Sequence, residues 1–400
     1  MRIAAFAFCL LASSPALAEL LRVGPGQTYT RIADAAAAAR DGDTVEILSG
    51  EYRGDVAIWP QKRLTIVGSG EERPVLIADG RSADEKAIWV IRNGDFHISN
   101  IEFRGARVAD GNGAGIRLEG GRLQVVNAAF IDNQNGILTG NREDIELYVR
   151  DSLFAQAPQQ QDPLPHLIYV GRIGHFEVSG SRFHGGHYGH LIKSRARRSD
   201  IRYNLIYDGP GGQASYEIDL PNGGLAHVIG NVIGQSAGSR NPVVIAYGAE
   251  ARAWPGSALY LSHNTLISNY LPGAWFLRVW KDRLPADTEV VGVNNLTVGL
   301  GAFTLAASGR FSGNWPALSF QLGDADILDF SLPAGSLLRR FDLTTDAGSG
   351  GGESLVPTAE FRLPFGTRAL AAPARWVPGA LQDPDYAIQH SVQQNLPPTH

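Results

Sequence analysis

Short runs of alternating apolar and polar residues, separated by glycine, asparagine and aspartate, dominate the chain from residue 64 onward. Runs of this length that are rich in β-branched residues predict strands, and the residues between them predict turns. Earlier in the chain, Ile32, Ala35 and Ala39 share one face of a predicted helix that ends at Gly42. The pattern therefore predicts a series of short strands whose open end is capped by one amphipathic helix.

The predicted strands recur with a period. A large apolar residue stands two places after a small or polar one, and successive apolar positions fall 23 to 33 residues apart, at Phe103, Phe130, Phe154, Phe183, Ile206, Ile233 and Leu266. An interval of this size accommodates three short strands, so each repeat predicts one coil of a parallel β-helix that hydrogen-bonds to the next coil. Asparagines at one turn of the later coils predict an amide ladder, formed by Asn204, Asn231, Asn264 and Asn295.

The expected fold class is therefore all-β, a parallel β-helix with an N-terminal capping helix. A helical repeat is disfavoured because the strands are short and the chain contains 47 glycines. A β-sandwich remains the alternative. The expected divisions are a signal peptide at 1–18, the cap and first coil at 19–63, the β-helix at 64–330, and an extended C-terminal segment and tail at 331–400.

Residues 1–18 have the features of a secretory signal, with a charged start at Arg2, an apolar run and an Ala-Leu-Ala ending. The apolar run is too short to span a membrane. The only cysteine, Cys9, lies inside this signal, so we expect a mature chain without disulfides or a catalytic thiolate. The protein is expected in the periplasm or outside the cell, with no membrane attachment after cleavage.

The opening of the mature chain resembles that of a known superfamily. The segments at 23–26 (Val-Gly-Pro-Gly), 41–45 (Asp-Gly-Asp-Thr-Val) and 50–52 (Gly-Glu-Tyr) are similar to the first coil of right-handed parallel β-helix proteins. That superfamily includes pectate lyases, the chondroitinase B and alginate lyase family, and mannuronan epimerases. The resemblance implies a right-handed coil to about residue 300, and it is much less specific for chemistry because one fold hosts many activities.

Aligning the coils on the repeat predicts one column of outward-facing side chains. Its members are Arg117, Leu138, Tyr169, Lys193, Asp219, Ala246 and Arg278. Neighbouring coils lie about 4.8 Å apart, so the side chains of Tyr169, Lys193 and Asp219 are expected to touch. The alternation also predicts that Glu217 faces outward beside Asp219.

Further polar residues surround this column. His166 and His190 occupy equivalent positions near one edge of the predicted strands, and His187 lies in the preceding loop. Arg195 and Asn222 follow the strands of Lys193 and Asp219. The long turns at 155–165 and 207–214 are expected to wall a groove. A groove of this kind suits an extended polysaccharide.

The charges in this groove suggest an acidic polymer as the substrate. β-Elimination from a uronate needs a base for the C5 proton, an acid for the leaving oxygen, and a positive group near the carboxylate. Lys193 is the candidate base or carboxylate neutraliser, and Tyr169, His190 or His187 is the candidate proton partner. The candidate substrate ligands are Arg195, Glu217, Asp219, His166 and Asn222. A lysine removes a proton only as the neutral amine, a form that nearby arginines favour and Asp219 opposes.

The coil around Lys193 is also similar to the lysine coil of the chondroitinase B and alginate lyase family. That resemblance implies a lysine base at Lys193 followed by an arginine acid one coil later. The equivalent coil here reads Glu217-Ile-Asp219, so the arginine is absent. A glycoside hydrolase that uses Glu217 and Asp219 as paired carboxylates, and a non-catalytic carbohydrate-binding or scaffold protein, are the alternatives.

Partners and cofactors are constrained more loosely. A net charge of −5 and a pI near 6.1 argue against nucleic acid. The expected partner is an acidic polysaccharide held by a local basic patch, and a monomer is expected. No cofactor or metal site is predicted with residues attached, and Ca²⁺ is left open.

Overall fold

The computed structural model describes residues 18–304, 308–383 and 386. All of the predicted signal except Ala18, including Cys9, lies outside these residues. The described chain forms a right-handed parallel β-helix built from three long parallel sheets, each of which receives one strand per coil. Neither of the α-helices in the described part of the chain has the length and apolar character needed to cross a membrane.

The chain passes from sheet 1 to sheet 2 to sheet 3 in each full coil. Sheet 1 contains Leu20–Val23, Thr44–Leu48, Arg63–Ser69, Asp95–Ser99, Arg122–Val126, Glu146–Arg150, His175–Ser179, Arg198–Arg202, Leu225–Ile229, Ala258–Ser262, Glu289–Val293 and Arg310–Ser312. Sheet 2 contains Glu51–Arg53, Val75–Ile77, Glu102–Arg104, Ala129–Ile131, Leu153–Ala155, Arg182–His184, Leu205–Tyr207, Val232–Gln235, Thr265–Ser268, Leu296–Val298 and Trp315–Ala317. Sheet 3 contains Ala57–Trp59, Ala87–Ile91, Ala114–Leu118, Asn135–Thr139, His166–Val170, Ile192–Ser194, Ile218–Leu220, Val243–Tyr247, Ala274–Val279 and Gly301–Thr304.

The remaining elements are short. The α-helices are Ile32–Ala38 and Leu337–Arg340, and the 3-10 helices are Lys281–Arg283, Ser319–Gln321 and Ala325–Ile327. Two antiparallel hairpins pair Ser349–Gly350 with Glu353–Ser354 and Ala359–Phe361 with Thr367–Ala369. The first helix buries Ile32, Ala35 and Ala36, and its free N-terminal N–H groups are bound by the carboxylate of Asp55.

The predicted apolar repeat is confirmed by the strand register. Each apolar position pairs with the next one along the chain, from Phe103 with Phe130 to Ile233 with Leu266. The four phenylalanines stack face to face, with ring centroids 5.1, 4.7 and 4.8 Å apart along the series. This stack gives the first half of the core a continuous aromatic spine.

The predicted asparagine ladder is also confirmed, at the turn between sheets 1 and 2. The amide of each asparagine donates to the side-chain oxygen of the next, over distances of 2.9 to 3.0 Å from Asn204 to Asn295. Asn314 adds a fifth rung, at 2.8 Å. Ser152 and Ser181 continue the column in earlier coils, where their hydroxyls accept backbone N–H groups.

The C-terminal segment runs back along the coils over sheets 1 and 2. Leu355 packs with Tyr203 and Ile229 in a small buried cluster, and Glu353 forms ion pairs with Arg198 and Arg202. These contacts place the segment on the faces of sheets 1 and 2. The candidate site described next lies on the outward face of sheet 3.

Candidate functional site

The predicted outward column lies on sheet 3 with the expected register. Arg117 pairs with Leu138, Leu138 with Tyr169, Tyr169 with Lys193, Lys193 with Asp219, Asp219 with Ala246, and Ala246 with Arg278. A cavity of about 390 Å³ lies beside this column, where the strands of sheet 3 end, and Tyr169 is the column residue that lines it. It is lined by Asn141, Tyr169, Arg172, Arg195, Asn222, Glu250 and Arg252. We call this cavity and its continuation along the column the groove.

Lys193 lies between two carboxylates, beside the groove residues Tyr169 and Glu250. Its Nζ is 3.5 Å from Oδ2 of Asp219 and 3.6 Å from Oε1 of Glu250. The same nitrogen lies 5.7 Å from the centre of the Tyr169 ring. The side chain is 13% exposed, and the two carboxylates compensate its charge.

Arg195 connects Tyr169 to Glu250. Its guanidinium forms a bidentate pair with Glu250, at 2.7 and 2.5 Å, and another of its nitrogens donates to the Tyr169 hydroxyl oxygen. Burial is the largest single influence and would raise the pKa of Glu250, but the hydrogen bonds and charges of Arg195 and Lys193 together outweigh it and hold this pKa below its usual value. Arg195 therefore fixes the Tyr169 oxygen and places positive charge beside it.

Asp219 faces outward as predicted, but its neighbours cover it and leave it 3% exposed. Its Oδ2 faces Lys193 and lies 3.3 Å from Nε2 of His190, while its Oδ1 is buried without a hydrogen-bond partner. Burial is the main influence and raises the pKa of Asp219 to about 6, against the opposing effect of Lys193. Asp219 is thus positioned to exchange a proton with Lys193 rather than to contact a ligand directly.

His166 and His190 form a stacked pair at the edge of sheet 3, with ring centroids 5.0 Å apart. Nδ1 of His166 accepts the backbone N–H of His190, and Nδ1 of His190 accepts that of Tyr216. Burial, reinforced by nearby positive charges, lowers the pKa of both histidines well below the usual value. Both rings are therefore neutral, and Nε2 of His190 carries the proton that faces Asp219.

Of the two other predicted site residues, Asn222 lines the groove and His187 does not. Asn222 is buried in the wall of the groove, where its amide donates to Oε2 of Glu250 at 3.3 Å. His187 lies in the loop before sheet 3, where its ring contacts Tyr188 and its backbone pairs with Gln213. His187 forms no hydrogen bond or ion pair with Lys193 or Asp219.

The prediction that Glu217 faces outward is wrong. Glu217 is 0% exposed, and neither of its carboxylate oxygens has a hydrogen-bond partner. It occupies a core column whose other members are apolar, including Leu167, Leu191, Val244 and Phe276. Strict alternation does not hold in this column, because Leu167 and Val244, at the equivalent positions inside their strands, are buried beside the equally buried Ile168 and Ile245. Glu217 therefore cannot bind a ligand in the groove or pair with Asp219 across a scissile bond.

We expect replacement of Glu217 by leucine to stabilise the protein by about 2 kcal/mol at neutral pH, because it removes a carboxyl buried without a partner. Burial raises the pKa of Glu217 well above 4.5. The acid is protonated in both states at low pH, and the unfolded chain ionises first as pH rises. The stability difference should therefore be smallest below about pH 4.5 and grow toward pH 8.

Chemical unfolding at several pH values measures this difference. Glu217→Gln is the matched variant, since it keeps the polar group but cannot ionise, and it should lose the pH-dependent part alone. A leucine variant that is less stable than the unaltered chain at pH 8 would show that the carboxyl is satisfied in the folded state.

The groove does not offer a suitable set of ligands for Ca²⁺, which takes six to eight oxygens. Both oxygens of Glu250 are bound by Arg195, and Oδ2 of Asp219 faces Lys193. Asp200, His227 and Glu353 lie close enough together to hold an ion, but they stand on sheet 1 and the C-terminal segment. Arg198 and Arg202 already pair with both of those carboxylates.

Two parts of this region were not predicted from the sequence: the carboxylate of Glu250, and the arginine pair Arg172 and Arg252. Glu250 follows the strand Val243–Tyr247 in a loop, outside any column of the repeat, so only the excess of cations near Lys193 signalled a missing carboxylate. Arg172 and Arg252 contribute to the wall of the groove from similar loops. Arg172 stacks on the buried Trp254 ring, with Cζ 3.5 Å from its centre.

Comparison with known proteins identifies the fold. A solved structure titled pectate lyase Pel9A is similar over 91% of this chain and 97% of its own, with a TM-score of 0.63 and 12% sequence identity. A second structure, Geobacillus virus E2 ORF18, is 10% identical and has a TM-score of 0.40 over 69% of this chain and 54% of its own. No protein-family model matches the chain, and no curated protein matches it in sequence. At this identity, the first likeness establishes a shared parallel β-helix.

Proposed function

We propose that this chain is an exported polysaccharide lyase that cleaves an acidic, uronate-containing polymer by β-elimination. One observation carries the proposal: Lys193 and Tyr169 lie side by side in adjacent coils, at the groove, with Arg195 donating to the Tyr169 oxygen. An amine and a phenol on one open face provide the two proton-transfer groups that this elimination requires. The fold shared with a protein titled pectate lyase is compatible with this activity.

The reaction proceeds through Lys193 and Tyr169 as base and acid. Lys193 passes one proton to the neighbouring Oδ2 of Asp219, and its free amine then removes the C5 proton of a uronate unit. The C5–H electron pair forms the C4–C5 double bond, and the bond from C4 to the glycosidic oxygen breaks. Tyr169 donates its proton to that oxygen, which becomes the hydroxyl of the released chain. Solvent then returns a proton to Tyr169 and removes the proton held by Asp219, which restores the resting state.

The charges of the groove favour an anionic polymer although the whole chain is acidic. Arg172, Arg195 and Arg252 line the cavity with one carboxylate, that of Glu250. Positive groups in a cleft attract anionic ligands and stabilise the charge that develops on the uronate carboxylate in the transition state. A hydrolase based on Glu217 and Asp219 lacks this support, because Glu217 lies in the core.

The proposal is tested by incubating the protein with pectate, alginate and chondroitin sulfate and recording the products. A lyase forms an unsaturated uronate that absorbs in the ultraviolet, in step with new reducing ends. Reducing ends without that absorbance would establish a hydrolase and reject the proposal. Retention of a polymer without any new end would establish a binding protein and also reject it.

Replacing Tyr169 by phenylalanine is expected to lower kcat on the cleaved polymer about 10²-fold, because the leaving oxygen then lacks its proton donor. The KM should change little, since the ring that lines the groove is retained. Tyr148→Phe is the control, because Tyr148 is a hydrogen-bonded tyrosine on sheet 1, away from the groove. An unchanged kcat in Tyr169→Phe would assign the acid to another group.

A further inference from the structure

Arg117 lies in the outward column of sheet 3, two coils before Tyr169 and three before Lys193. With about 4.8 Å between coils, these separations are about 10 Å and about 14 Å along the axis. The side chain lines a second cavity, of about 260 Å³, which also includes Leu138, Asn141 and Tyr169. Asn141 and Tyr169 line the cavity beside Arg195 and Glu250 as well, so the groove continues from Tyr169 to Arg117.

Arg117 differs from Lys193 and Arg195 because its guanidinium forms no ion pair among the described residues. Its Nε is buried without a hydrogen-bond acceptor, and its guanidinium forms no ion pair with any residue in the described ranges. The nearest carboxylate along the chain, Glu119, is bound by Lys86 and Arg92 instead. Burial lowers the pKa of Arg117 and outweighs the opposing electrostatic effects of Glu119, Asp110 and Tyr169, which reflects the cost of holding a cation away from water.

An uncompensated and partly buried guanidinium is costly, and a carboxylate ligand would relieve that cost. The planar fork of arginine binds carboxylates through two parallel hydrogen bonds. Thr139 and Asn141 stand beside it as neutral groups suited to sugar hydroxyls. The carboxylates of Glu85 and Asp110 at the rim are solvent-exposed, so water and salt screen their repulsion of an anion.

We propose that Arg117 forms a second anion subsite of the groove, which binds the carboxylate of a uronate unit about 10 Å along the polymer from the unit at Tyr169. The identity of the polymer rests on the proposed function. The subsite itself rests on the unpartnered guanidinium and the continuity of the two cavities. The arrangement predicts that the polymer lies along the coil axis and that its affinity depends on charge at a distance from the reacting bond.

Calorimetric titration of the full chain with hexamers of galacturonate and of mannuronate tests this subsite. Lys193→Ala serves as the background, so that cleavage does not interfere. We expect Arg117→Ala to weaken binding of the hexamer that the protein prefers by about tenfold, the loss typical of one charged hydrogen-bonded contact. The fully methyl-esterified hexamer has no charge for Arg117 to bind, so its affinity should not change with this substitution.

Arg150→Ala is the matched control, because it removes an exposed arginine from sheet 1 and changes the net charge equally. Equal losses in Arg117→Ala for the charged and esterified hexamers, or no loss, would overturn the subsite. Failure of both charged hexamers to bind the unaltered groove would overturn it too. Binding that depends on Arg117, without any unsaturated product from the unaltered chain, would reject the lyase and leave the subsite standing.

Discussion

Lys193→Ala is expected to lower the rate of unsaturated-product formation by about 10²–10⁴-fold, the range that a positioned general base contributes. The amine lies beside the groove and faces both Tyr169 and Asp219. Its removal leaves the carboxylates of Asp219 and Glu250 without that cation, while Arg195 still neutralises Glu250. Initial rates from ultraviolet absorbance, measured on the polymer that the unaltered protein cleaves, give the size of the loss.

Lys193→Arg separates the two roles that the lysine could play. Arginine keeps the positive charge but does not deprotonate, so it replaces a carboxylate neutraliser and not a base. If Lys193 is the base, the arginine and alanine variants should be similarly inactive. If it only neutralises the uronate, the arginine variant should retain much of the activity.

Lys62→Ala is the control for the loss of a lysine, because Lys62 is exposed in the turn before sheet 1. Its activity should match that of the unaltered protein. Unfolding curves of both Lys193 variants establish that they remain folded. Full activity in a folded Lys193→Ala variant would contradict the lysine-centred mechanism and transfer the reaction to other residues of the groove.

Asn231→Ala is expected to destabilise the protein by about 3–5 kcal/mol, because the amide stands at an interior rung of the ladder and is 0% exposed. Its Nδ2 donates to the backbone carbonyls of Ile201 and Ile229 and to Oδ1 of Asn264. Its Oδ1 accepts the backbone and side-chain N–H groups of Asn204. Alanine satisfies none of these buried groups, and the turns of three coils lose a shared support.

Chemical unfolding measures the loss of stability in Asn231→Ala and compares it with the loss in a variant at the end of the same ladder. Asn314 is only half-buried and receives hydrogen bonds from one neighbouring rung, so Asn314→Ala should cost about 1–2 kcal/mol. The ratio of the two losses tests whether interior rungs are supported from both sides. Similar losses of stability for Asn231→Ala and Asn314→Ala would show that each asparagine stabilises only its own turn.

Several features followed from the repeat because each coil returns the chain to the same place. Once Phe103 and Phe130 are one coil apart, every residue at a fixed offset from them shares a column, and the parallel register preserves that offset. The asparagine ladder and the outward neighbours Tyr169, Lys193 and Asp219 were predictable for this reason. Because these residues recur once per coil, their spacing along the chain was enough to predict which side chains are neighbours.

Spacing along the chain did not predict the positions of the Glu217 and Glu250 side chains. Glu217 shares a column with Leu167 and Val244, which are buried inside their strands next to other buried residues, so alternation assigns this column to the wrong face. Glu250 reaches Lys193 and Arg195 from a loop two coils away, and loop lengths vary between coils. Neither position follows from a period of two residues or from the length of a coil.

The amino-acid sequence by itself therefore determined the coil, its aromatic and amide stacks, and the column that contains Lys193. Only the tertiary structure decided which charges in that column are compensated. Arg195 is neutralised by a distant loop, Asp219 is covered by its neighbours, and Arg117 forms no ion pair within the described part of the chain. Spacing along the chain sets which residues share a face, but burial and ion pairing depend on every element packed around them.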